Sequence, residues 1–104
     1  MTSTKPRPDL RTKAKKYPPY HVILLNDEDH SYEYVMEMMR DLFGYQEDQA
    51  FKIAETVDRK KRAIVATMQK EQAEFKQGQI HSRGADPRIA KCEGSMTAIL
   101  EPAE

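Results

Sequence analysis

The stretch HVILLNDEDHSYEYV, residues 21–35, constrains this chain more than any other. His21 to Leu25 is a short apolar run preceded by Pro18-Pro19 and ended by Asn26-Asp27, which predicts one buried strand. From Tyr32 to Phe43 the period changes: Val35, Met39 and Leu42 recur on one helical face, Met36 and Phe43 flank it, and Gly44 stands where a left-handed terminating residue belongs. Asp27, Glu28 and Asp29 therefore sit at the junction of a buried strand and a helix. In one reading they and Ser31 cap the helix, with Asp29 or Ser31 satisfying open N–H groups and the acidic charge favouring the positive dipole end. In the other they are oxygen acceptors for a cation. The two are compatible.

The remaining elements follow from similar patterns. Gln46 to Val57 predicts a second helix with Ala50, Ile53, Ala54 and Val57 in line. A basic turn, Arg59 to Arg62, leads to a strand over Ala63–Thr67. A third helix covers Lys70–Ile80, with Ala73, Phe75 and Ile80 as its apolar anchors. Gly84, Asp86-Pro87 and Gly94 mark a long loop before a strand over Met96–Leu100, and Pro102 ends regular structure. The order β-α-α-β-α-β predicts an α+β fold: a small sandwich of three helices on one face of a three-stranded, mainly antiparallel sheet. Methionine serves both as core filling and at adaptable peptide-binding surfaces, and for Met36, Met38 and Met39 core filling is expected.

A length of 104 residues suits one domain with a modest core. The formal net charge is zero, but residues 1–20 carry six Lys or Arg against Asp9 alone, about +5, leaving the rest about −5. With four prolines and little apolar content, residues 1–19 read as a flexible basic arm, either a docking or delivery segment or a terminus without a role, and 20–104 as the core domain. One cysteine, Cys92, excludes an internal disulfide. No apolar run reaches the roughly 18 residues of a membrane span, and the N-terminus lacks a secretory apolar region, so a cytoplasmic location without membrane contact is expected.

Motifs for catalysis are missing: there is no G-x-S-x-G, Walker loop, Cys-x-x-Cys or His-Glu-x-x-His. A calcium loop over Asn26–Glu37 fails because Asn is the first ligand, Ser31 replaces the turn glycine, and half the loop reads as helix. His21, Asp27, His30 and Asp58 have no recognised metal-ligand spacing. Specific nucleic-acid binding is not expected either, because no aromatic residues interleave with the basic ones. No enzyme activity, metal or cofactor is expected, and Cys92, without a visible partner for catalysis, reads as incidental.

The segments YHVILLNDEDHSYEYV, LFGY, RAIVAT and KEQAEFK, in this order, resemble ClpS, the adaptor of Clp AAA+ proteases, over about Tyr20–Leu100. The resemblance implies a monomeric binding module that captures the N-terminal residue (N-degron) of substrate proteins, commonly Leu, Phe, Tyr or Trp, and delivers them to the N-terminal domain of a ClpA- or ClpC-type unfoldase. An α-amino group is a cation with three donors, so its recognition requires clustered oxygen acceptors beside an apolar hole for the first side chain. By carry-over, Asn26 and Asp27 meet the backbone and ammonium of that residue, in a loop continued by Glu28 and His30, while Tyr32, Val35, Ala54, Asp58 and Met96 line the site. Glu71 and Lys76 face the unfoldase.

Four departures from the family pattern bear on specificity. His30 and Ser31 replace the usual threonine and proline, which shifts the cap by one residue. Tyr32 and Ala54 replace two methionines of the pocket wall, implying a changed ranking among large first residues. Asp58 stands where the family has a histidine that holds the amine. Lys61 stands where a glycine is expected, leaving the turn geometry open. The alternative is a ClpS-like module that has lost free-amine recognition and binds another peptide or protein.

Overall fold

The structure is a computed structural model and describes residues 17–103. The basic arm expected over 1–19 therefore lies, for residues 1–16, outside the described residues.

The predicted order is observed: β1 (Tyr20–Leu25), α1 (Tyr32–Phe43), α2 (Glu47–Lys60), β2 (Arg62–Met68), α3 (Lys70–His81) and β3 (Thr97–Pro102). β1 lies between the other two strands, and both pairings are antiparallel, with Leu24 opposite Ala63 on one side and Ala98 on the other. This central position explains why β1 is apolar without alternation. Val22 and Leu24 face the helices, whereas Ile23 is sealed on the other face between its cross-strand partners Ile64 and Ile99. Pro102 does not stop regular structure short; it is the last residue of β3, an edge strand that tolerates a missing N–H.

Helix α1 begins on Ser31, whose Oγ accepts the Tyr34 N–H at 3.1 Å, and ends on Gly44 at φ +71°. Its buried side is Tyr34, Val35, Met38 and Met39, one position rotated from the expected stripe, with Leu42 and Phe43 at the border. Met38 and Met39 fill the core as expected, but Met36 is half-buried beside a surface depression that it shares with Phe51. α2 buries the expected Ala50, Ile53, Ala54 and Val57. It runs three residues beyond its expected end, absorbing Arg59 and Lys60, because Lys61 adopts the left-handed conformation (φ +74°) and its N–H closes onto the Val57 carbonyl. Lys61 thus takes the left-handed conformation that a glycine adopts without strain.

Helix α3 departs from expectation at Phe75, which is 65% exposed and not an anchor. Ala73, Gln77 and Ile80 share the inward stripe: Ala73 and Ile80 are fully buried, and the Gln77 amide donates to the Ala98 carbonyl at 2.8 Å. Phe75 lies on the opposite side at 100° per residue. The long loop 82–96 is clamped to α1. Tyr34 donates its hydroxyl to the Gly84 carbonyl, Arg83 pairs with Asp41 at 2.8 Å, and Arg88 pairs with Glu37. Among the described residues no helix is long and apolar enough to cross a membrane.

Candidate functional site

The loop between β1 and α1 is fixed at both ends and braced from two further segments. At its start the Asn26 N–H donates to the Lys61 carbonyl at 3.0 Å, which sets the loop against the last turn of α2. The Asn26 side-chain amide reaches Glu28 at 3.4 Å, and Glu28 itself sits at φ +70°, a conformation that costs a non-glycine residue about 1–2 kcal/mol. The Glu28 carboxylate extends toward Lys61, 3.6 Å away. Asp27 turns back on its own loop: Oδ1 accepts the Asp29 N–H at 3.0 Å and lies 2.8 Å from Nδ1 of His30.

His30 is not a solvent-facing loop residue. Its side chain is 3% exposed, its ring packs against Tyr34 with centroids 4.5 Å apart, and Nε2 lies 2.7 Å from the Gly94 carbonyl oxygen. Ser31 is the helix cap, in line with the expected one-residue shift, and is anchored by a partner 55 residues away. Asp86, 1% exposed, accepts from the Ser31 N–H and hydroxyl at 2.7 Å each and from the Arg88 N–H at 3.0 Å. Burial pushes the Asp86 carboxyl up, but these donors and the Arg88 guanidinium outweigh it and hold the group down at about 2.

Tyr32, in the first turn of α1, crosses to α2. Its hydroxyl donates to Asp58 at 2.9 Å and its ring meets Phe51 at 5.6 Å between centroids. Phe51, Ala54 and Asp58 are spaced along one face of α2, so the Tyr32 ring bridges over the small Ala54 side chain. Donating to the Asp58 carboxylate raises the Tyr32 phenol above its ordinary pKa.

The sequence-predicted residues thus fall into three groups. Asn26, Asp27, Glu28 and His30 lie on a loop tied to the α2 terminus, the His30 side chain buried. Tyr32 and Asp58 are bonded to each other at the surface. Val35, Ala54 and Met96 belong to the buried core cluster beneath. Glu71 and Phe75 are exposed on α3, whereas Lys76 is half-buried, donating to the Leu42 carbonyl at 2.7 Å with Nζ 5.5 Å from the Phe43 ring centroid.

Three residues escaped sequence reasoning. Phe51 carried a signal, since it lies one turn before Ala54. Asp86 carried none beyond a turn-forming Asp-Pro pair. Cys92 had been read as incidental and without a partner; its Sγ instead lies 3.3 Å from Nε2 of His30, a pairing across 62 residues that no local spacing encodes. Among the described residues, no cluster of three or more His, Cys, Asp or Glu is arranged to hold a metal ion.

Comparison with known proteins gives concordant results. The family described as "ATP-dependent Clp protease adaptor protein ClpS" matches residues 15–88. The chain is 39% identical over 80 residues to the ATP-dependent Clp protease adapter protein ClpS of Roseobacter denitrificans, covering 77% of this chain and 66% of that protein. It thus spans just under two thirds of that relative's length. It is 35% identical over 74 residues to ClpS 2 of Mesorhizobium japonicum, covering 71% of this chain and 73% of the relative. The solved structure of Agrobacterium tumefaciens ClpS2 bound to L-phenylalaninamide superposes with a TM-score of 0.71 at 26% identity, covering 83% of this chain and 98% of that one.

Proposed function

This chain belongs to the ClpS family of ATP-dependent Clp protease adaptor proteins, and we propose that it binds the free N-terminal residue of substrate proteins and delivers them to a ClpA- or ClpC-type unfoldase in the cytoplasm. One juxtaposition carries the reading. The Asn26–Lys61 backbone bond sets the carboxylate-bearing loop beside the end of α2 that presents Asp58. In this reading Asn26, Asp27 and Glu28 from the loop and Asp58 from α2 are the acceptors with which an ammonium group exchanges water for charge-assisted hydrogen bonds. The bound group of the Agrobacterium relative, L-phenylalaninamide, has the matching chemistry of a free amine beside a phenyl side chain. The paired Tyr32 and Phe51 rings then supply the apolar side of the proposed site, while Val35, Ala54 and Met96 are buried in the core cluster. In this reading Glu71 and Lys76, with the exposed Phe75 between them, form the unfoldase-facing surface of α3, and residues 1–19 are an arm appended to the 20–104 binding domain.

A second reading is favoured by one contact. Asp58 already accepts the Tyr32 hydroxyl, so its carboxylate is partly satisfied without a ligand, as expected of a ClpS-like module that no longer reads amines. Fluorescence anisotropy with peptides that begin with Phe, Leu or Ala, each free or N-acetylated, separates the two. The amine-reading adaptor binds free Phe and Leu peptides and loses them on acetylation. Equal binding of acetylated and free peptides would overturn it in favour of the second reading.

A further inference from the structure

We propose that Cys92 is a reactive thiol, a modification site built from Cys92, His30 and Asp27 that takes low-molecular-weight disulfides. Nucleophile, base and orienting group stand in the order that thiol activation requires. Sγ of Cys92 is 3.3 Å from Nε2 of His30, and Nδ1 of the same ring is 2.8 Å from the Asp27 carboxylate. The imidazole cannot swing freely, because its side chain is 3% exposed and it packs on Tyr34.

The partners of the ring give it a direction. Besides the sulfur, it faces the Asp27 carboxylate and, at 2.7 Å, the Gly94 carbonyl oxygen, both acceptors only. Both are satisfied when each ring nitrogen carries a hydrogen, the state produced when the imidazole takes the thiol proton. The resulting cation lies against the sulfur, which also accepts the Asp86 N–H at 3.2 Å. The protonated thiol has its own partner, the Gly94 carbonyl oxygen at 3.3 Å.

Access and ligand chemistry come from the surroundings. Cys92 is half-buried and opens onto a depression of about 370 Å³ that it shares with His30, Asp27, Asp29, Lys91 and Glu93. Three carboxylates (Asp27, Asp29 and Glu93) and Lys91, whose Nζ lies 3.7 Å from Asp29, line it, which suits a small disulfide bearing ammonium groups, of the cystamine type. In the step itself the thiolate of Cys92 attacks one sulfur of the disulfide, the new S–S bond forms as the old one breaks, and the departing thiolate takes the proton from Nε2 of His30. Cys92 is oxidised to a mixed disulfide and the incoming disulfide is reduced to one thiol. Asp27 serves this triad as well as the proposed amine site, yet thiol reactivity does not depend on peptide binding, so failure of either reading leaves the other standing.

The test measures the reaction of the full chain with 5,5′-dithiobis(2-nitrobenzoate) by release of the coloured thiolate, followed by intact-mass detection of the adduct formed with cystamine. An ordinary thiol is only a few per cent anionic at pH 7, so the native protein should react about fivefold or more faster than the same chain unfolded in guanidinium. Its rate should climb less steeply from pH 6 to 8 than that of the unfolded chain. His30→Gln and Asp27→Asn, each checked for native circular dichroism, should abolish both the excess rate and the difference in slope. A native rate at or below that of the unfolded chain overturns the proposal, as does a fast rate untouched in folded variants. Should neither variant fold, the native-to-unfolded comparison alone decides.

Discussion

Asp86→Asn offers a quantitative test of how the junction between β1 and α1 is held. Asp86 is fully buried, bonds the N–H and hydroxyl of Ser31, the cap of α1, and receives the Arg88 guanidinium at 3.2 Å. Held at about 2 against the usual 3.8, the carboxylate contributes about 2 kcal/mol to folding at neutral pH, at roughly 1.4 kcal/mol per pH unit. Because the folded value lies below the unfolded one, that contribution is complete above about pH 4 and disappears as pH falls toward about 2. An asparagine removes the charge and turns an amide donor toward groups that are themselves donors. The loss at pH 7 should therefore be about 2–3 kcal/mol, with Tm lower by about 10 °C or more. Urea unfolding followed by circular dichroism at steps from pH 7 to 2 measures both quantities: wild type and variant differ most above pH 4 and converge near pH 2. Equal stabilities at pH 7, or a gap that persists undiminished to pH 2, would refute the account of Asp86 as the ionised anchor of the cap.

Three further predictions concern other parts of the fold and site. Lys61→Gly relieves a left-handed residue at φ +74° and should raise stability by about 1 kcal/mol; a lower urea midpoint would show that the conformation is not strained. Met39→Ala empties a fully buried position in the core cluster and should cost about 2–5 kcal/mol by thermal or urea unfolding, whereas a loss below about 1 kcal/mol would mean that the core closes around the gap. Asp58→Ala should weaken binding of a free Phe-initiated peptide by about 1–3 kcal/mol in anisotropy titrations; an unchanged Kd would assign the carboxylate to Tyr32 alone.

Which features were legible in the chain follows from the range over which each is encoded. The period-2 and period-3.6 signals of His21–Leu25, Tyr32–Phe43 and Gln46–Val57 are local, because burying one face of a strand or helix forces apolar residues into register with its own geometry. Element order, the α+β class and Gly44 as the end of α1 followed from that alone. Phe75 was misassigned because a weakly amphipathic helix does not announce its buried face. Ala73 and Ile80 are buried because that side of α3 packs on the sheet, a choice made by neighbours rather than by the helix.

The sequence by itself determined that a junction rich in carboxylates would join a buried strand to a helix, since covalent proximity and periodicity suffice to place Asn26–Glu28 there. Only the tertiary structure decided what each polar group does. Asp86 and Cys92 reach Ser31 and His30 across 55 and 62 residues, and Tyr32 reaches Asp58 across 26. Such pairs carry no periodic signature, because a hydrogen bond between distant segments is fixed by the packing of the elements that bear them and leaves the residues between unconstrained.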